Sequence, residues 1–136
     1  MSRRDLELRA KKELEAEGWK VERAVSKAVF TPKGFAARSF DFFNCFDLIA
    51  VNNENVRFIQ ITSDDHNQTT NPNKSLNVHK RKIDRVWPYS QPEIWRYLKE
   101  GNRWKKEIHV RMEGEWVQIP SSESITGGYL KVSKSL

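Results

Sequence analysis

Asp47 is the residue that most narrows what this chain can become. It interrupts Cys45-Phe46-Asp47-Leu48-Ile49-Ala50-Val51, a run that is otherwise apolar. A carboxylate in such a run must be paired, bound to a metal, or placed at a sheet edge, because burying it alone is costly. Asn52-Asn53-Glu54-Asn55 is a turn signal, and Val56 to Thr62 is a second apolar strand. The two runs predict a β-hairpin with Val51 facing Val56 and, counted back in that register, Asp47 facing Gln60. Directly opposed residues have Cβ atoms about 5 Å apart. Thr62 lies two positions beyond Gln60 and shares its face. Asp47, Gln60 and Thr62 thus form a small polar patch within apolar strands. Its oxygen donors suit Mg²⁺ or Mn²⁺. Cys45 falls opposite Thr62 in this register and reads as packing.

The rest of the chain supplies the frame. Leu6, Ala10 and Leu14 make an apolar stripe on a helix from Arg3 to Glu17, with Ser2 and Asp5 as a capping pair and Gly18 as its stop. Glu7 lies about 60° from the centre of that stripe. It either looks along the buried flank and completes the Asp47 patch, or is one of several solvated helix acids. Trp19 to Val25 alternates as a half-buried strand does. Ser26 to Phe43 reads as irregular, with Pro32 and Gly34 marking turns, and Asp41 there is either an outer metal ligand or a turn former. Ser63 to Asn77 reads as a long polar loop, followed by a basic helix from Ser75 to Val86 that Pro88 stops. Ile94 to Leu98 fits a strand better than a helix, because Trp104 to Val110 and Glu115 to Ile119 look like the strands that follow it. The tail over 120–136 is Ser- and Gly-rich and is expected to be loosely held.

Composition bounds the class. At 136 residues the chain fits one domain, 1–136. Hydrophobic residues at 38% are enough for a core, which excludes general disorder. No apolar run approaches the roughly 20 residues of a membrane span, and the first residues do not form a secretory signal. A single cysteine excludes a disulfide framework and a cysteine zinc site, and points to the reducing cytoplasm. The 24 Lys and Arg against 18 Asp and Glu leave a net charge of +6, which suits a polyanionic partner. The basic residues concentrate in Lys74, Lys80, Arg81, Lys82 and Arg85, and again in Arg96, Lys99, Arg103, Lys105, Lys106 and Arg111 among Trp95, Tyr97 and Trp104. Cations interleaved with aromatics suit phosphate contacts and base stacking. The partner expected from this is nucleic acid. A second use of the Trp-rich stretch, Trp87 to Trp116, is a protein contact surface.

These residues resemble the PD-(D/E)XK nuclease superfamily, most closely its small archaeal Holliday-junction resolvases. The likeness covers Arg3 to about Arg85. Glu7 stands eleven residues before Gly18, as the family's helix Glu precedes its Gly-aromatic turn. Trp19 to Ser26 is similar to the strand bearing Arg and Ser, Phe46-Asp47-Leu48-Ile49-Ala50 to the Pro-Asp strand, and Phe58-Ile59-Gln60-Ile61-Thr62 to the Glu-x-Lys strand. The resemblance implies an α/β, restriction-endonuclease-like fold: a mixed central sheet flanked by helices, here with a C-terminal hairpin or meander. It implies a metal-dependent nuclease that cuts DNA, branched or structured, as a symmetric homodimer. Asp47, Gln60 and Glu7 would hold Mg²⁺ or Mn²⁺, and Arg23, Ser26, Lys74, Lys80, Arg81 and Arg85 would contact the nucleic acid, with pairing to Glu22 or Glu7 the equal alternative for Arg23. Two residues depart from the pattern. Gln60 replaces an acid and Thr62 replaces the lysine. Lys82, or else Lys80, would have to supply the missing charge from the following helix. The alternative is a catalytically inactive nucleic-acid-binding module on the same fold.

Overall fold

Ser2 and Asp5 start the first helix, α1 (Arg3–Ala16). The Ser2 hydroxyl accepts from the Asp5 N–H and the Asp5 carboxylate accepts from the Ser2 N–H, closing a capping box. At the other end Gly18 takes φ 96°, and the N–H groups of Gly18 and Trp19 return to the carbonyls of Glu15 and Leu14. This is a Schellman close, and only glycine enters that backbone region without cost. The computed structural model describes residues 2–65, 71–89, 91–120, 125–126 and 129–130, without the side chains of 25–29, 36–40, 125–126 and 129–130.

After α1 come β1 (Lys20–Arg23), β2 (Val25–Thr31), β3 (Gly34–Phe40), β4 (Leu48–Val51), β5 (Val56–Asp65), α2 (Lys74–Val86), β6 (Glu93–Glu100), β7 (Arg103–Met112), β8 (Glu115–Ile119), β9 (Ile125–Thr126) and β10 (Tyr129–Leu130). Six strands form one sheet in the order β1-β4-β5-β6-β7-β8. Only β5 and β6 are parallel, joined by the crossover through α2, and the sheet is therefore mixed. The expected α/β architecture, a mixed sheet with helices against it and a C-terminal meander (β6-β7-β8), is what the chain adopts.

Alternation along the strands divides the core in two. Leu6, Ala10 and Leu14 of α1 pack with Trp19, Val21, Leu48, Ala50, Ile59, Ile61, Trp95 and Tyr97 on one face. Leu76 and Ile83 of α2 pack with Cys45, Phe46, Trp87 and Ile94 on the other. Phe58, Gln60 and Thr62 alternate with Ile59 and Ile61, so they belong to the α2 face.

Three expectations change. Ser26 to Phe43 is not irregular: β2 and β3 pair over seven positions, from Val25 opposite Phe40 to Thr31 opposite Gly34. Pro32 and Lys33 are the hairpin's two-residue turn. The polar loop is shorter than expected, because β5 runs on to Asp65 and α2 already starts at Lys74; 66–70 lie outside the described residues. Asp64 explains the early start, since its carboxylate accepts from the N–H groups of Ser75 and Leu76 and caps α2 from another element. Cys45 is not paired in the hairpin. It sits in a turn closed by its N–H to the Phe42 carbonyl, with Phe43 at φ 54° and Asn44 at φ 59°, and its side chain packs beside Phe46. The expected loose tail falls mostly outside the described residues, apart from a short antiparallel pairing of β9 with β10.

Candidate functional site

Asp47 is pinned by its own backbone before its side chain is considered. Its N–H donates to the Ile59 carbonyl at 2.9 Å, and its carbonyl accepts from the Ala24 N–H at 2.8 Å. The β4–β5 register runs from Val51 opposite Val56 to Leu48 opposite Ile59, and one further step sets Asp47 against Gln60. The carboxylate is buried. Its Oδ2 accepts three hydrogen bonds: from Gln60 Nε2 at 2.8 Å, from the Ile61 N–H at 2.9 Å, and from Arg3 Nη2 at 3.0 Å. Gln60 Nε2 also donates to the Ile61 carbonyl at 2.9 Å. The side-chain amide thus bridges two oxygens, both of a kind that binds hard cations.

More charge gathers around this centre. Glu7 is only 12% exposed in its side chain, and accepts from Arg23 Nη1 at 3.3 Å while Arg3 Nε stands 3.7 Å from its other oxygen. Burial, then the negative charge of Asp47, pushes the Glu7 carboxyl above its ordinary range, although Arg23 and Arg3 oppose the shift. Asp41 behaves alike. Burial and Asp47 raise it, against Arg3, Lys82 and His79. His79 of α2 falls to about 4 through burial and the positive charge of Arg3 and Lys82, so it is neutral at pH 7. Glu7 and Asp41 thus both feel the Asp47 charge, and the cations present do not cancel their repulsion and desolvation. A site in that condition favours an added proton or an added cation.

The donor set is chemically suited to Mg²⁺ or Mn²⁺, being all oxygen: Asp47, the Gln60 Oε1, the Ile61 carbonyl and Glu7. Among the described residues, however, no group of three His, Cys, Asp or Glu side chains is arranged to hold an ion. A cation here depends on Gln60 turning its amide to present Oε1, and on Arg3 leaving Asp47. Arg3 is 49% exposed and on the first turn of α1, where such movement costs little.

The residues singled out from sequence divide clearly. Asp47, Gln60 and Glu7 come together. Arg23 pairs with Glu7. Lys82 is half-buried and acts on Asp41, whereas Lys80 feels Arg96, Asp84 and Glu107 instead. Lys74, Arg81 and Arg85 are exposed on α2. Ser26 is at the start of β2, with its side chain outside the described ones. The sequence alone did not single out Arg3 or His79, and it left Asp41 between an outer metal ligand and a turn former. Arg3 carried a signal, since it precedes Glu7 by one helical turn.

The second basic cluster is corrected. Trp95 and Tyr97 are core residues, and Arg96 and Arg111 are buried. Arg96 bonds Glu107, Asp64 and the Asn73 side chain, while Arg111 bonds Asp84 and the carbonyls of Trp87 and Tyr89. These cations fasten α2 to the sheet and do not face a phosphate. Trp87 is buried too, whereas Trp104 and Trp116 are half-buried and Arg103 and Lys105 exposed, so only part of the Trp-rich stretch faces outward.

No protein-family model matches the chain, and no curated protein matches it. Among solved structures, the 1.6 Å structure of Archaeoglobus fulgidus Hjc, a Holliday junction resolvase from an archaeal hyperthermophile, aligns over 87% of this chain and 88% of that one. The identity is 18% and the TM-score 0.36. A likeness that faint carries no argument about this chain's chemistry, which rests on the residues themselves.

Proposed function

We propose that the chain is a metal-dependent nuclease that hydrolyses phosphodiester bonds in DNA, branched or otherwise structured. The observation that carries this reading is the buried Asp47 carboxylate, bonded by Gln60 and joined to Glu7 through Arg3, with Glu7 and Asp41 both raised by burial and by the Asp47 charge. Asp47, Gln60 through Oε1, and Glu7 would hold Mg²⁺ or Mn²⁺, with the Ile61 carbonyl beside them. When bound, such an ion supplies Lewis acidity toward a phosphate and lowers the pKa of a coordinated water. The chain's own groups do the rest. Asp41, its carboxyl raised by burial and by Asp47, would accept a proton from water. Lys82, which acts on Asp41 from α2, would offer the positive charge that Thr62 lacks. Arg3, once off Asp47, is available to a phosphate oxygen in the bidentate manner guanidinium favours. Lys74, Arg81 and Arg85 on the exposed side of α2, with Arg23 and Ser26, would hold the nucleic-acid backbone. A homodimer would serve a substrate with two equivalent strands.

One observation favours a second reading, a non-catalytic DNA-binding module. The Asp47 Oδ2 already accepts three donors, and the Gln60 amide already bridges Asp47 and the Ile61 carbonyl. The deciding experiment is cleavage of labelled duplex, single-stranded, flap and four-way-junction DNA with Mg²⁺ and with Mn²⁺. Wild type and Asp47→Ala are compared at equal DNA binding. Metal-dependent cutting that vanishes in the variant supports the nuclease. Salt-sensitive binding without cutting selects the module.

A further inference from the structure

The β2–β3 hairpin stands apart from the six-stranded sheet. Its two strands pair with each other and with no other strand among the described residues. Its tip is well made: the Thr31 hydroxyl donates to the Gly34 carbonyl at 2.6 Å and accepts from the Lys33 N–H at 3.2 Å, and Gly34 takes φ 111°. Beside this turn Phe30 and Phe35 oppose each other, 77% and 78% exposed, with ring centroids 5.5 Å apart in an edge-on pair. Two bare aromatic rings at the end of a two-stranded ribbon bury little and stabilise little, since a lone hairpin is marginal in water.

Charge and topology say what covers them. From Val25 to Phe40 the sequence carries Lys27, Lys33 and Arg38 and not one acid. Both legs are rooted at the candidate site. Before β2, the Ala24 N–H bonds the Asp47 carbonyl, and directly after β3 comes Asp41. Seven residues of strand carry the tip roughly 20 Å outward. A polyanion seated at Asp47 therefore lies within reach of an arm that is basic along its length and aromatic at its end. Aromatic side chains stack on any base whose own stacking is interrupted, and apolar wedges of this kind open or exploit base steps.

We propose that this hairpin is a DNA-engaging arm, with Phe30 and Phe35 stacking on bases exposed where a duplex is interrupted. The inference rests on the reading of DNA as the substrate, and it adds the site that selects for discontinuity in stacking. Lys33, Lys27 and Arg38 supply sequence-independent attraction to the flanking phosphates.

The test uses the full chain with the Asp47→Ala substitution, so that binding is read without cutting. The probes are intact duplex and the same duplex with a one-nucleotide gap, carrying 2-aminopurine beside the gap. Fluorescence anisotropy gives affinity, and 2-aminopurine emission reports stacking. The gapped duplex is expected to bind about tenfold tighter, the scale of one base–aromatic stack. Adding Phe30→Ala with Phe35→Ala should abolish that preference and the emission change while leaving intact-duplex affinity within about twofold. Phe30→Tyr with Phe35→Tyr should restore both. Because the rings are exposed, melting temperature should not move, and circular dichroism checks this. Four results overturn the arm: no preference for the gap, a preference that survives the alanine pair, equal weakening on both probes, or loss of a dimer in sedimentation with the preference unchanged, which makes the rings a contact between copies. Binding to neither probe sinks the DNA reading as well, whereas binding without preference sinks the arm alone.

Discussion

Two clusters of buried charge occupy the same sheet and are built in opposite ways. In the first, around Asp47, one exposed arginine, Arg3, is shared between Asp47 and Glu7. Glu7 and Asp41 are both raised, through burial and through Asp47. In the second, across β5, β6 and β7, the buried carboxylates are held by arginines, Glu93 by Arg57, and Glu107 and Asp64 by a shared Arg96. Glu93 takes a bidentate pair from Arg57, which lies 5.0 Å from the Trp19 ring centroid. Glu107 takes Arg96 at 2.6 Å and His109 at 3.0 Å. Burial pushes Glu107 up, but the bonds from His109 and Arg96 outweigh it and hold it below its ordinary value. Burial alone therefore does not distinguish a functional carboxylate from a structural one. The balance of partners does. A saturated cluster holds strands together, and an under-neutralised one keeps an unmet demand for a cation.

The comparison can be broken at its strongest point first. Arg57→Ala leaves Glu93 buried without its partner and should cost about 3–5 kcal/mol in urea denaturation. Asp47→Asn should change stability by less than about 1 kcal/mol, because relief of repulsion at Glu7 and Asp41 offsets the weakened hydrogen bonds, yet it should remove cleavage. If the two variants destabilise equally, the contrast between the clusters fails.

Titration sharpens it. His79 has a folded pKa of about 4 against 6.5, so the unfolded chain binds more protons in that window and stability rises with pH from about 4 to 6.5. Glu7 and Asp41 have the reverse sign. Their folded values are raised, and the stability they contribute falls as pH climbs from 4.5 and 3.8 through those values. Glu107 is lowered, and its contribution is lost only as pH falls through its folded value. Glu7→Gln should steepen the net rise of stability with pH, and His79→Asn should flatten it, as read by denaturation between pH 3.5 and 7.

Arg3→Ala should tighten Mn²⁺ binding several-fold by calorimetry, because a positive group leaves the pocket. Unchanged affinity would mean that Arg3 does not compete. The smallest effect belongs to Lys106→Ala. Its pair with Glu13 leaves both side chains 33% exposed, and its loss should cost less than about 1 kcal/mol.

Much of the frame was legible because it is local. The capping box of α1, the Gly18 stop, the Asn52–Asn55 turn and the Asp47–Gln60 register all follow from residues close in sequence. The β2–β3 hairpin was not legible, because Pro32 and Gly34 read as breaks although Pro32 lies in a two-residue turn and Gly34 opens β3. Nor was the cap of α2, since Asp64 reaches it from eleven and twelve residues away. The sorting of the cations failed for the same reason. Arg81 and Arg96 look alike in a charge count, and only packing makes one exposed and the other buried.

By itself, then, the sequence determined a polar patch at Asp47, the strands and turn that build it, and a basic chain suited to a polyanion. Those are matters of spacing, and spacing survives in one dimension. The tertiary structure decided which charges share a desolvated space: Arg3, Asp41 and His79 with Asp47, and Arg57 and Arg96 with acids of their own. Electrostatic demand depends on distance and burial in three dimensions, and neither is written in the order of residues.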